Sequence, residues 1–399
     1  MTWPRVKLKT LLTQPVQNGY SPICPDAPNG KWILALGALN GSGFDATQVK
    51  PAPIGDNRVD NFLLQTGDFL VSRSNTLNKV GRAAVFKGQI DNCAYPDLMM
   101  RFRVDESSIN PEFLDMYLRS SEAVRHFQRA ASGTSETMVK INKRAVENLL
   151  VPQPPFAEQA AIADLLSTWD VAIEKTERLI AAKERQKKCL MQQLLTGHQR
   201  LNGFKKPWSE FPLGELFQER SERASDHLPL LSITSGEGII HRNEDRKDTS
   251  NEDKSNYLRI CPGDIGYNTM RMWQGVSALS SLEGIVSPAY TICTPKKESD
   301  GEFMAYLFKL PRVINLFYRY SQGLTSDTWN LKYKHFRKIK VVVPEIEEQK
   351  AIANILKVCD EQIDLLKKQV EGYRRQKRGL MQKLLTGQWR VKARREQPA

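Results

Sequence analysis

The side chains best able to do chemistry are scattered along this chain rather than clustered. Five histidines (His126, His198, His227, His241 and His335) show no spacing that would bring two of them to one metal ion. Six cysteines (Cys24, Cys93, Cys189, Cys261, Cys293 and Cys359) form no CxxC pair, so neither a zinc site nor a disulfide framework is expected. A metal-dependent nuclease needs clustered carboxylates with a lysine nearby, and Pro96-Asp97 has no acidic-x-Lys partner in the thirty residues that follow. Gly41-Ser42-Gly43 is too short for a dinucleotide fingerprint. No GxxxxGK[ST] loop is present, so ATP hydrolysis is not indicated.

One stretch imitates a catalytic motif. Gln153-Pro154-Pro155-Phe156 has the outline of the Asn-Pro-Pro-Phe/Tyr loop with which amino-methyltransferases hold a target amine. Its first residue is Gln where that loop uses Asp, Asn or Ser, and no strand with a Gly-rich cofactor loop precedes it. The corresponding place 190 residues later holds Val343-Pro344-Glu345-Ile346, an ordinary lead-in to a helix. No active site can be named.

That correspondence belongs to a repeat running through the whole chain. Glu158-Gln159-Ala160-Ala161-Ile162-Ala163 returns as Glu348-Gln349-Lys350-Ala351-Ile352-Ala353, and Leu190-Met191-Gln192-Gln193-Leu194-Leu195-Thr196-Gly197 as Leu380-Met381-Gln382-Lys383-Leu384-Leu385-Thr386-Gly387. Both matches share the offset of 190 residues, so nothing is inserted between them. A repeat of this length implies two equivalent structural units. Further matches extend it: Trp3-Pro4-Arg5 with Trp208-Ser209-Glu210, Gly67-Asp68-Phe69 with Gly263-Asp264-Ile265, and Glu112-Phe113 with Glu302-Phe303.

Each repeat core reads as one long helix. Positions alternately three and four apart are Ile162, Leu166, Trp169, Ile173, Thr176, Ile180, Lys183, Lys187, Leu190 and Leu194 in the first copy. In the second they are Ile352, Leu356, Cys359, Ile363, Leu366, Val370, Tyr373, Lys377, Leu380 and Leu384. This 3.5-residue period keeps an apolar stripe facing a partner helix. Prolines stand just before each helix, and Gly197 and Gly387 stand where a glycine stop belongs. About 38 residues at ~1.5 Å each make a rod of roughly 57 Å. Two matched rods should pack on each other as a spacer. The polar breaks Lys183, Lys187 and Lys377 either fix register or are exposed.

The order is therefore head, rod, head, rod: 1–150, 151–200, 201–343 and 344–390, with a basic tail at 391–399. Short alternating or apolar runs at Trp32–Leu36, Asp68–Ser72, Arg82–Phe86, Leu230–Ile233, Asp264–Asn268 and Tyr290–Ile292 predict strands. Pro111–Leu118 and Glu302–Leu307 predict matched short helices, so the heads are mixed α/β and the chain is α+β. With no 18-residue apolar run and no signal segment, a soluble cytoplasmic protein is expected. The net charge of +13 and pI near 9.4 favour a nucleic-acid partner, since neutralised phosphates release counterions and supply affinity.

Taken together, the Glu-Gln-x-x-Ile-Ala openings, the Leu-Met-Gln-x-Leu-Leu-Thr-Gly closes and the Trp-led head starts resemble those of type I restriction-modification DNA specificity subunits, over essentially all 399 residues. The resemblance implies two target-recognition domains, each reading half of a split, asymmetric site in double-stranded DNA. It also implies an antiparallel coiled coil that sets the unread gap and carries two modification (methyltransferase) subunits. Adenine methylation with S-adenosylmethionine, and ATP- and Mg-dependent cutting by restriction/translocase subunits, would belong to those partners and not to this chain. A non-catalytic coiled-coil scaffold or regulator of another DNA-modification system is the alternative, and acidic heads would favour it; these heads are not acidic.

For such heads, the polar residues after the matched Gly-Asp turns are the candidate DNA contacts. They are Ser72, Arg73, Ser74, Asn75, Lys79 and Arg82 in the first head, and Tyr267, Asn268, Thr269, Arg271 and Trp273 in the second. Arg and Asn suit bidentate reading of guanine and adenine edges, and Lys suits phosphate. The small polar loops Gly133-Thr134-Ser135 and Gly323-Leu324-Thr325-Ser326 are expected at the same face, because glycine lets backbone amides approach closely.

Overall fold

The computed structural model describes residues 3–41, 43–133, 138–223, 228–234, 236–242, 254–325 and 328–392. The chain divides into two compact units that do not follow sequence order. One comprises Met1–Thr176 with Gln369–Ala399, the other Glu177–Lys368. Two helices of 39 residues, Phe156–Leu194 and Ile346–Leu384, each give one half to either unit. No helix among the described residues is long and apolar enough to cross a membrane.

Within each unit the two half-helices run antiparallel. In the first, Trp169 meets Tyr373 edge to face at 5.7 Å, and Lys377 Nζ donates to Asp170 Oδ1 at 2.5 Å. In the second, Lys187 Nζ donates to Asp360 Oδ1 at 2.5 Å, and Lys367 pairs with Glu184 at 3.0 Å. Every seam position predicted from the 3.5-residue period is buried or partly buried, while Leu165, Leu179, Val358 and Leu365, which lie off the seam, stay exposed. The polar breaks at Lys187 and Lys377 are thus ion-paired to partner-helix aspartates at matching places in the two repeats.

The repeated motifs have concrete structural work. Arg390 donates to both carboxylate oxygens of Glu158 at 2.7 Å in the first unit, and Arg200 to both of Glu348 at 2.7 and 2.6 Å in the second. Gln159 accepts from the Asn110 backbone N–H and donates to Pro154 O; Gln349 accepts from Asp300 N–H and donates to Pro344 O. Each glutamine thereby ties the helix start to the N-terminus of a head helix, Pro111–Leu118 or Gly301–Leu307. Ile162, Ala163, Leu384 and Leu385 fill the first core, and Ile352, Ala353, Leu194 and Leu195 the second. Gly197 and Gly387 take φ of +73° and +75°, the left-handed stop, and lie against Trp208 and Trp3 respectively.

Each head is built on a four-stranded antiparallel sheet of one topology. In the first the order is Leu12–Asn18, Met99–Val104, Phe69–Ser72, Ala83–Val85; in the second it is Phe217–Glu219, Tyr290–Pro295, Ile265–Asn268, Ser277–Leu279. The repeated Gly-Asp pair starts the third strand of each list. Gly67 and Gly263 both have φ of +91°, and the next aspartate folds back to accept a backbone N–H, from Gln65 or Cys261, at 2.8 Å. Asp68 and Asp264 are buried and paired with Arg103 and Arg220 at 2.5 and 2.7 Å. Behind the predicted short helices each head carries a second one, Ser121–Ala130 or Pro311–Tyr320, which the sequence reading did not include.

Candidate DNA interface

The candidates that follow the Gly-Asp turns fall on or at the start of the hairpin turn that joins the third and fourth strands of each sheet. In the first head the chain leaves the sheet at Ser72, and Ser74–Asn75 pairs antiparallel with Val139–Lys140. That short strand belongs to the return loop in which Gly133 lies. Ser132 and Lys140 exchange backbone hydrogen bonds at 3.0 and 2.8 Å, and Ile141 N–H donates to Arg73 O at 2.9 Å. In the second head Gln322 and Asn330 exchange the equivalent pair at 2.9 and 2.8 Å, and Leu331 N–H donates to Thr269 O at 2.8 Å. Turn and return loop, separate in sequence, are adjacent in both heads.

Not every candidate faces outward. Ser72 and Ser74 are 1% exposed and Tyr267 is fully buried, stacked on Phe336 at 5.2 Å. These three are corrected from contacts to supports: they sit where the hairpin is still sheet, and a polar side chain there packs against the core. Arg73, Asn75, Arg82, Asn268, Thr269 and Trp273 are partly exposed, and Lys79, Arg271, Gly133, Gly323 and Thr325 are exposed. Arg73 donates to Asp97 O at 3.2 Å. Thr134, Ser135 and Ser326 lie outside the described residues.

The turns are shaped by close packing beneath them. Gly81 and Gly275 end them with φ of +75° and +79°, and a Cβ at either would stand 2.3 Å from Phe127 or 2.8 Å from Ile314. Phe127 and Ile314 lie on the two helices that the sequence reading missed, so those helices seat the turns. In the second head Lys309 Nζ also donates to Gly275 O at 2.8 Å and Ser277 O at 2.6 Å. Burial lowers its pKa from the ordinary lysine value. The missed partner Trp329 stands against Trp273, and Tyr318 against Trp329; no local signal in the sequence links them, because a long-range backbone bond brings turn and return loop together.

Little here suits bond-making. Among the described residues no three His, Cys, Asp or Glu side chains are disposed to hold a metal ion. Burial pushes the Cys93 thiol up to about 12 and Cys293 well above its usual value, so neither supplies a thiolate. Two heads of one topology each offer a seated turn and an adjoining loop, the arrangement of a protein built from a repeated module.

Comparison with known proteins agrees. The profile of the type I restriction modification DNA specificity domain matches residues 27–184 and 205–371. The putative type I restriction enzyme MjaX specificity subunit of Methanocaldococcus jannaschii is 25% identical over 419 residues, covering 98% of this chain and 94% of that one. The MjaVIII specificity subunit of the same organism is 26% identical over 308 residues, covering 70% and 71%. Among solved structures, a chain from a study of complex assembly and conformational transition of the type I R-M system superposes with a TM-score of 0.59 at 15% identity, covering 97% of this chain and 98% of that one. The S subunit of the type I restriction-modification system of M. genitalium gives 0.55 at 16% identity, covering 96% of both. The chain belongs to the type I restriction-modification DNA specificity family; its role is DNA sequence recognition, and it is not itself an enzyme.

Proposed function

We propose that each head reads one half of a bipartite, asymmetric DNA site through its hairpin turn and return loop. The paired long helices set the unread gap and dock two modification subunits. One observation carries this reading: the same two segments are joined by the same backbone bonds in both heads, while the exposed side chains they present differ. A shared frame with different side chains is what two modules reading different sequences require, since base edges are distinguished by donor and acceptor pattern. S-adenosylmethionine would serve the modification subunits, and ATP and magnesium the restriction/translocase subunits, within the restriction-modification complex.

Methylation-sensitive long-read sequencing of DNA exposed to the assembled complex returns the site directly. Exchange of residues 1–150 for another head should alter one half-site and keep the other half and the gap. An exchange that altered both halves, or neither, would defeat the modular reading.

A further inference from the structure

Beside its hairpin turn the second head carries an aromatic ridge. Trp273 and Trp329 meet edge to face at 5.1 Å, and Tyr318 meets Trp329 at 4.8 Å. Both indoles are partly exposed and Tyr318 is 47% exposed. The three rings come from the turn, the return loop and the helix Pro311–Tyr320, and the bond from Leu331 N–H to Thr269 O holds turn and loop together. Lys309 fixes the base of the turn through two carbonyls. The ridge is thus built and seated before any ligand arrives, which limits the ordering cost of binding.

Its chemistry is restrictive. The one indole donor of Trp273 is already given to Met270 O at 2.9 Å, and Met270 itself is 48% exposed. The Trp273 ring therefore offers carbon, and no donor, to a partner. Arg271, Arg319 and Lys332, all exposed, stand at sequence positions next to or near the three rings and favour a polyanion. In the major groove the apolar feature that distinguishes one base pair from another is the C5 methyl of thymine. We propose that the Trp273–Trp329 ridge reads a thymine methyl in the half-site of the second head. The first head has Val139 and Gln128 at the places of Trp329 and Tyr318, so the device belongs to one head. The assignment rests on the second head reading DNA through its turn.

The test uses the full chain assembled with its modification subunits and duplexes carrying the site found by sequencing. Each thymine in the second head's half-site, identified by exchange of the first head, is replaced in turn by deoxyuridine, which removes only the methyl. One replacement should weaken binding by about threefold to tenfold, the range for one methyl leaving an apolar contact. Trp273→Ala and Trp329→Ala should abolish that methyl sensitivity and keep full discrimination in the first half-site, which also reports intact folding. No uracil-sensitive thymine in this half-site, or sensitivity unchanged in both variants, overturns the assignment. Arg271→Ala separates the two levels. If it weakens this half-site while no thymine is uracil-sensitive, only the ridge assignment falls. If Arg271→Ala combined with Asn268→Ala also leaves the half-site untouched, the turn is not the reading element and the underlying reading falls with it.

Discussion

Glu158 shows how much a single repeated residue can hold. Its carboxylate takes two hydrogen bonds from Arg390, which hold its pKa below the usual glutamate value despite the burial that opposes them. A carboxyl whose folded pKa is depressed stabilises the fold above its unfolded value, near 4.5 here, and that contribution is lost as pH falls through the folded value. Glu158→Gln should therefore flatten the acid limb of stability, measured as urea midpoints from neutral pH downward. Identical acid profiles for variant and parent would remove Glu158 from this role. Arg271 stands at the opposite extreme: it is exposed on the second turn. Arg271→Ala should relax discrimination at one position of one half-site by about 1–3 kcal/mol if its contact is bidentate. Methylation profiles over single-base variants of the site measure this, and an unchanged profile would exclude it as a base contact.

At the scale of elements, the long helices were legible and the heads only partly so. A 3.5-residue period sustained over ten positions can be met only by a helix with a facing partner, and each of those positions is buried or partly buried. The heads are built from strands of two to seven residues whose pairing joins distant segments, and such contacts leave no local period. Hence Ser72, Ser74 and Tyr267 read as exposed polar residues when they are interior, and the Trp273–Trp329 contact could not be seen at all. The paired lysines lie between these cases: their polarity was visible, their partners were not. Lys377 is 8% exposed and burial lowers its pKa, while Asp170 reaches solvent. Removing the aspartate strands a buried cation, whereas replacing the cation by an apolar side chain does not. Asp170→Ala should thus cost about 1–3 kcal/mol, below the value for a fully enclosed pair because of that exposure. Lys377→Met should cost little, and the double variant should recover most of the loss. Denaturant unfolding of the three variants decides it; an equal loss from both single changes would mean that the pair itself, rather than the stranded charge, is at stake.

For the whole molecule, the division into units gives the ruler proposal a sharper form. The units part at Thr176/Glu177 in the first long helix and at Lys368/Gln369 in the second. The ion pairs Lys377–Asp170 and Lys187–Asp360 each lie inside one unit, so lengthening both helices at these two places breaks neither. Seven residues inserted at each place preserve the heptad and hence the facing of the seam. The added rise is about 10.5 Å at ~1.5 Å per residue, which is roughly three base pairs at ~3.4 Å each. Both half-sites should keep their sequence, because no turn or return loop is touched, and the unread gap should lengthen by about three base pairs. An insertion in one helix alone should instead set the seam out of register and cost stability before it changes the gap. Long-read methylation sequencing reads the gap length directly. If the doubly lengthened chain folds, methylates the same half-sites and keeps the original gap, the helices do not measure the distance between them.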